Sequence, residues 1–156
     1  MKTKVLCLLL LLPAAAIAAQ DRPDFSGTWI FNKERSAFEY RVLAHIERGT
    51  AVIEHLEPNF KFSRVYALGG QDDEASFEHS TDGREVEGQE GRWPAYYSMR
   101  WDGDVLVRTI RLQTSKGEAF NTFRFSLQEG GKRLQIDEQY KGPLQTFNNV
   151  WIFDLK

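Results

Sequence analysis

An all-β fold, an antiparallel up-and-down β-barrel of about ten strands with one short helix after the first strand, is what the sequence predicts. Three observations carry this. Residues alternate at period two through the opening segment Asp24–Asn32. Glycine and Asp-Gly turn signals recur at regular short intervals from residue 49 onward. Aromatic residues make up 13% of the chain and are spread along its whole length, as suits pleated faces that carry large rings.

The opening segment reads as the first strand. Phe25, Gly27, Trp29 and Phe31 fall on one side at period two; Ser26, Thr28, Ile30 and Asn32 fall on the other. Gly27 has no Cβ and admits a close neighbour. Trp29 is large enough to plug one end of a small barrel, so Gly27 and Trp29 are assigned to barrel closure. The pattern then changes once. Ser36-Ala37-Phe38-Glu39 has the form of a capping box, and Phe38, Val42, Leu43 and Ile46 follow at helical spacing up to Gly49. This predicts a helix over 37–48 that covers one mouth of the barrel.

From Thr50 the chain alternates strand and turn. Thr50–Glu57 ends at Pro58-Asn59, and Phe60–Leu68 ends at Gly69-Gly70. Ala75–Ser80 and Arg84–Gln89 flank Thr81-Asp82-Gly83, a hairpin signal because Asp-Gly accepts positive φ. Tyr96–Trp101 and Val105–Leu112 flank Asp102-Gly103. Phe120–Leu127 and Arg133–Tyr140 flank Gly130-Gly131, and Phe147–Leu155 closes the set. Short connections favour up-and-down topology, and closure into a ring would remove exposed strand edges.

The first residues are expected to be processed. Lys2 and Lys4 precede the apolar run Val5–Leu12, and Ala16-Ile17-Ala18 supplies a small-x-small cleavage pattern. Residues 1–18 are read as a secretory signal and 19–156 as a single domain. The run is shorter than the about 18 apolar residues of a membrane span, so no integral membrane segment is expected after cleavage. The expected location is periplasmic or secreted. Cys7, the one cysteine, lies inside this segment, which leaves no disulfide, thiolate nucleophile or Cys-ligated metal in the processed chain. The full chain has a net charge of −2, and loss of Lys2 and Lys4 makes it more acidic. That argues against nucleic acid as a partner, which requires a basic patch.

The Gly27-x-Trp29 arrangement resembles the opening strand of the lipocalins, and Phe25-Ser26-Gly27-Thr28-Trp29 is similar to the opening of the related fatty-acid-binding proteins. Thr81-Asp82-Gly83-Arg84-Glu85 and Trp101-Asp102-Gly103-Asp104-Val105-Leu106-Val107 resemble segments of small exported bacterial lipocalin-like proteins. The resemblance implies a calycin-type barrel. The final strand, Trp151–Lys156, lacks the Arg-x-Tyr pair with which fatty-acid-binding proteins hold a carboxylate, so that motif implies no fatty-acid ligand here.

A barrel turns alternate residues inward. With the more apolar face of each strand inside, the polar residues on that face are Arg64, His79, Arg108, Glu138 and Asn149. Tyr66, Tyr97, Met99, Trp101, Phe123, Phe125 and Leu127 supply walls. A charge facing a cavity requires a partner, water or ligand, and a guanidinium suits carboxylate or phosphate. The candidate ligand-binding set is therefore Arg64, Arg108, Tyr66, Tyr97, Trp101, Phe123, Glu138 and Asn149. Internal pairing, for example Arg108 with Glu138, is the plainer alternative. A register shifted by one residue would instead turn Arg100, Arg111 and Arg124 inward.

These residues point to non-covalent binding of a small, largely apolar or amphiphilic molecule inside the barrel. Two other readings stay open: a barrel enzyme of isomerase or cyclase type, with His79 and Glu138 converging for acid–base work, and a filled barrel that acts through its surface. His45, His55 and His79 have no metal-ligand spacing, and Gly-x-Ser-x-Gly does not occur. No cofactor or metal is expected, and no catalytic residue is assigned.

Overall fold

The structure, a computed structural model, describes residues 22–156; the signal segment read at 1–18 lies outside the described residues. Strands dominate it: β1 (Gly27–Phe31), β2 (Ala37–Phe38), β3 (Ile46–Leu56), β4 (Asn59–Leu68), β5 (Gln71–Ser80), β6 (Val86–Glu90), β7 (Trp93–Asp102), β8 (Val105–Thr114), β9 (Gly117–Gln128), β10 (Arg133–Lys141) and β11 (Thr146–Leu155). Single 3-10 turns cover Arg41–His45 and Glu129–Gly131. Every pairing is antiparallel. One hydrogen-bonded path runs β5-β4-β3-β1-β11-β10-β9-β8-β7-β6, with the two-residue β2 added against β11.

β1 is the joint of this sheet. It pairs with β3 through Gly27↔Ile53 and Trp29↔Ala51, and with β11 through Trp29↔Leu155 and Phe31↔Phe153. The first and last long stretches of the domain thus meet on one five-residue strand. Its alternation is as read from the sequence: Trp29 and Phe31 are buried while Ile30 is exposed. Gly27 takes φ of +150°, and a Cβ there would stand 2.8 Å from Leu155 Cδ1. A side chain at this position would be strained in the backbone and crowded by its neighbour.

The inward faces meet in an aromatic core that includes Phe25, Trp29, Phe60, Tyr66, Phe125, Trp151 and Phe153. At one end Phe25 stacks on Trp101 with ring centroids 6.0 Å apart, and the Trp29 indole N–H donates to the Phe25 carbonyl at 3.0 Å. Glu57 gathers the turns at this end. Its Oε1 accepts from Trp101 Nε1 at 2.7 Å and from His55 Nε2 at 3.0 Å, and its Oε2 accepts from Thr81 Oγ1 at 2.6 Å. The Phe25 N–H donates to His55 Nδ1, which leaves Nε2 as the protonated nitrogen of the ring. Desolvation pushes the Glu57 carboxyl up, but the hydrogen bonds from Thr81, His55 and Trp101 outweigh it and hold the group below the usual carboxylate value.

Two expectations are corrected here. The segment 37–48 is not an α-helix. Ala37 and Phe38 pair with β11 at Val150 and Asn149, the Asn149 side-chain oxygen accepts from the Glu39 and Tyr40 N–H groups, and only a 3-10 turn follows. Ser36 does not cap a helix. Its hydroxyl donates to the Asn32 carbonyl and accepts from the Ile152 N–H. Tertiary partners have claimed the groups a helix would have used. Ile46 and Gly49, at the end of that segment, belong to β3 and are buried.

The ring of hydrogen bonds is also not closed. β5 and β6, flanking Thr81-Asp82-Gly83, form no hairpin and are the two ends of the path. Gly83 has the positive φ that the sequence called for, +82°, yet its turn is tied elsewhere. The Thr81 N–H donates to the Pro58 carbonyl, the Gly83 N–H donates to the Met99 carbonyl, and Asp82 bridges to Arg100 on β7. The sheet curls until β5 faces β7 through side chains, with His79 stacked on Tyr97 at 5.3 Å.

Trp29 is 1% exposed and sits where β1, β3 and β11 meet. Replacing it with Ala is expected to lower unfolding stability by about 3–5 kcal/mol. Denaturant titration measures this, and a loss below about 1 kcal/mol would show that the indole does not anchor the end.

Candidate ligand-binding site

Successive turns of an up-and-down sheet alternate between its two ends. The turns at 57–58, 81–83, 102–104 and 129–131 share the packed end with Phe25. The 3-10 turn Arg41–His45 and the turns at 69–70, 91–92, 115–116 and 142–145 share the other. Toward that second end lies a cavity of about 450 Å³, in the size range of small-molecule sites. Its walls include Phe62, Tyr66, Phe77, Phe123, Phe125 and Trp151. Tyr40, Leu43 and Phe147 contribute where β2 and the 3-10 turn lie over β11, and the polar residues are Arg64, Ser76, Glu90, Arg108, Asn121 and Glu138. The interior is therefore packed at one end and hollow toward the other.

Arg108 projects from the centre of β8 and is 7% exposed. Its guanidinium carbon lies 3.9 Å from the centroid of Phe77, 5.5 Å from that of Tyr97 and 5.7 Å from that of Phe123. Among the described residues it forms no ion pair, and its Nε is buried without a hydrogen-bond partner. Burial pushes its pKa down to about 10, so it keeps its charge at neutral pH. Three aromatic faces offer a cation electrostatic attraction but no acceptor, and the Glu90 carboxylate on the cavity wall favours the charge from a distance without bonding to it.

Glu138 is 8% exposed and does not pair with Arg108. Its Oε1 accepts from Asn121 Nδ2 at 2.9 Å, and its Oε2 accepts from Asn149 Nδ2 and Trp151 Nε1, each at 2.9 Å. Neutral donors thus solvate the carboxylate on both oxygens. Arg108 on β8 and Glu138 on β10 both stand opposite Phe123 of β9 in register, so that ring separates the two charges.

The other candidates are distributed as follows. Arg64 lines the cavity, but its guanidinium already holds Asp73 Oδ2 at 2.6 Å and lies over the Tyr66 ring at 4.3 Å. Tyr66 forms wall, and burial pushes its phenol well above the ordinary value. Phe123 lies between Arg108 and Glu138. Tyr97, Trp101 and Asn149 do not line the cavity. Tyr97 stacks on His79 and donates its hydroxyl to the Gln89 carbonyl. Trp101 lies too near the packed end, where Phe25 and Glu57 take its ring and N–H. Asn149 is buried behind Glu138, with both ends of its amide engaged by Glu138 and by the Glu39–Tyr40 backbone. Arg100 is exposed, Arg111 pairs with Glu85 and Glu118, and Arg124 pairs with Asp102.

His79 and Glu138 share no hydrogen bond. His79 stacks between Phe77 and Tyr97 and lines a second cavity of about 280 Å³ in the gap beside β6. Burial, aided by the nearby Arg108 charge, pushes its imidazole down to about 4. Among the described residues no group of His, Cys, Asp and Glu side chains could hold a metal ion, and no helix is long and apolar enough to cross a membrane. Cavity residues that the alternation pattern did not single out include Tyr40, Ser76, Glu90 and Asn121, the last extending the inward row of Phe123, Phe125 and Leu127 by one step.

The antiparallel sheet curled around an internal cavity has a fold like that of the fatty-acid-binding proteins. Solved structures agree with this at the level of fold. The chain is similar to the REP1-NXSQ fatty acid transporter (TM-score 0.52, 11% identity, covering 82% of this chain and 94% of that one). It is also similar to the zebrafish ileal bile acid-binding protein complexed with cholic acid (0.54, 12% identity, covering 85% and 98%) and to the Schistosoma mansoni fatty acid binding protein in complex with arachidonic acid (0.55, 10% identity, covering 85% and 96%). The sequence itself matches no protein-family model and no curated protein.

The His79 shift has a consequence for stability. Its folded pKa lies below its unfolded value, so its contribution is intact above about 6.5 and is lost as pH falls toward about 4. Ligand-free protein is expected to lose stability across this window, and His79→Gln to flatten the slope. Denaturant titrations at stepped pH, with NMR titration of the imidazole, check both. A His79 that titrates near 6.5 would contradict this environment.

Proposed function

We propose that this is an exported, lipocalin-like binding protein that holds one small anionic amphiphile in its barrel. Arg108 anchors the acid group and the aromatic walls cover the apolar body. The observation that carries the proposal is the buried Arg108 in a cavity of about 450 Å³, its Nε unpartnered and its guanidinium in no ion pair among the described residues. A buried charge left in that state is costly, and an incoming carboxylate would relieve the cost with charge-assisted hydrogen bonds. Arg64 already has Asp73, so the anion is assigned to Arg108 rather than shared between the two. Apolar burial adds about 25 cal/mol per Å² before ordering costs. The fatty-acid and bile-acid ligands named for the structural neighbours belong to the same chemical class. Export rests on the lysines, apolar run and Ala16-Ile17-Ala18 of the N-terminal segment.

Arg108→Met tests the anchor, because the substitution removes a charge that is unsatisfied when the cavity is empty. Delipidated R108M is expected to be as stable as the unsubstituted protein or more so, yet to bind oleate at least about ten-fold more weakly, as loss of a hydrogen bond to a charged group implies. Arg64→Met is expected to have the smaller effect. Calorimetric titration with paired thermal melts reads both quantities, and unchanged oleate affinity in R108M would overturn the assignment. Mass spectrometry of molecules that co-purify with the exported protein identifies the natural ligand.

A further inference from the structure

Asn121, which lines the cavity, holds a buried acceptor that nothing so far explains. Its Nδ2 is fixed on Glu138 Oε1 at 2.9 Å, so the amide cannot turn over without facing a carbonyl oxygen to a carboxylate. Its Oδ1 is thereby aimed elsewhere, and it is buried with no donor. The neighbouring groups cannot supply one. Asn149 Nδ2 and the Trp151 indole N–H both serve Glu138. The cavity consequently has two poles. Arg108, a donor without an acceptor, stands on β8. Asn121, whose Oδ1 is an acceptor without a donor, stands on the adjacent β9 opposite Ile110, two residues along from the Arg108 position, with its amide held on Glu138. With adjacent strands about 4.8 Å apart and about 3.4 Å per residue along each, the backbones carrying Arg108 and Asn121 are roughly 8 Å apart.

An unbranched fatty acid would satisfy the first pole with its carboxylate but bury the second against methylene groups, leaving Asn121 Oδ1 stranded. We infer that the ligand is a hydroxylated amphiphilic acid: its carboxylate meets Arg108, and a hydroxyl on its apolar body donates to Asn121 Oδ1 beside Glu138. This deepens the binding reading and rests on it. A hydroxyl suits the site because Asn121 offers a neutral acceptor while Glu138 already has donors on both oxygens. The specificity follows from desolvation, since a site built to receive an O–H discriminates against the analogue that lacks it.

The test uses delipidated protein and two matched pairs of probes, oleate with its hydroxylated counterpart ricinoleate and lithocholate with the more hydroxylated cholate, titrated by calorimetry. The expected result is that the more hydroxylated member of at least one pair binds about ten-fold more tightly, the scale of one net hydrogen bond. Asn121→Leu is expected to abolish that preference. Equal affinity within both pairs, or a preference that survives in N121L, would overturn the inference. The unsubstituted protein decides the question by itself if N121L does not fold. The two levels also separate. Arg108-dependent binding indifferent to the hydroxyl removes this inference alone, whereas failure to bind any of the four probes removes the binding reading with it.

Discussion

The whole architecture depends on the double pairing of β1. A five-residue strand receives β3 on one edge and β11 on the other, so the sheet bends back on itself and each strand acquires an inside. From that follows every inward assignment, because residues two apart share a face. It also places Trp29 and Phe25 at the end where β1 begins, under the turns that Glu57 ties together. The opposite end, roofed only by β2 and a 3-10 turn, is left hollow. Packed and open ends are consequences of where one short strand sits in the order.

Much of this was legible in the residues. Strand positions were marked by turn chemistry: Asp102-Gly103, Gly69-Gly70 and Gly130-Gly131 all supply glycines at positive φ, and the strands between them needed little beyond alternation. The 37–48 segment was misread because its helical spacing is real but local, while Asn149 and Ile152, more than a hundred residues away, take up its N–H groups and the Ser36 hydroxyl. Asp82-Gly83 shows the same limit in another form. The dipeptide dictates a turn and its φ sign, but not whether the strands on either side pair, which here depends on Pro58 and Met99.

The cavity was half legible for a related reason. Period-two alternation places Arg64, Arg108 and Glu138 on inner faces. It does not say what each meets there. That Glu138 is solvated by two asparagines and an indole, while Arg108 has only rings, depends on which strands lie side by side across the barrel. Tyr97, Trp101 and Asn149 face inward as alternation requires, yet sit too near the packed end, against the gap, or behind another side chain. Asn121 could have been found by carrying the row of Phe123, Phe125 and Leu127 one step further.

The break between β5 and β6 bears on the size of the interior. In a fully bonded ring, strand number and stagger together set the radius, and widening it means rupturing amide ladders. Here, beyond the single Asp82–Arg100 bridge, the circumference is completed by rings and a guanidinium: His79 against Tyr97, and Phe77 against Arg108. Along most of this gap, girth is therefore set by how side chains pack and not by an amide ladder.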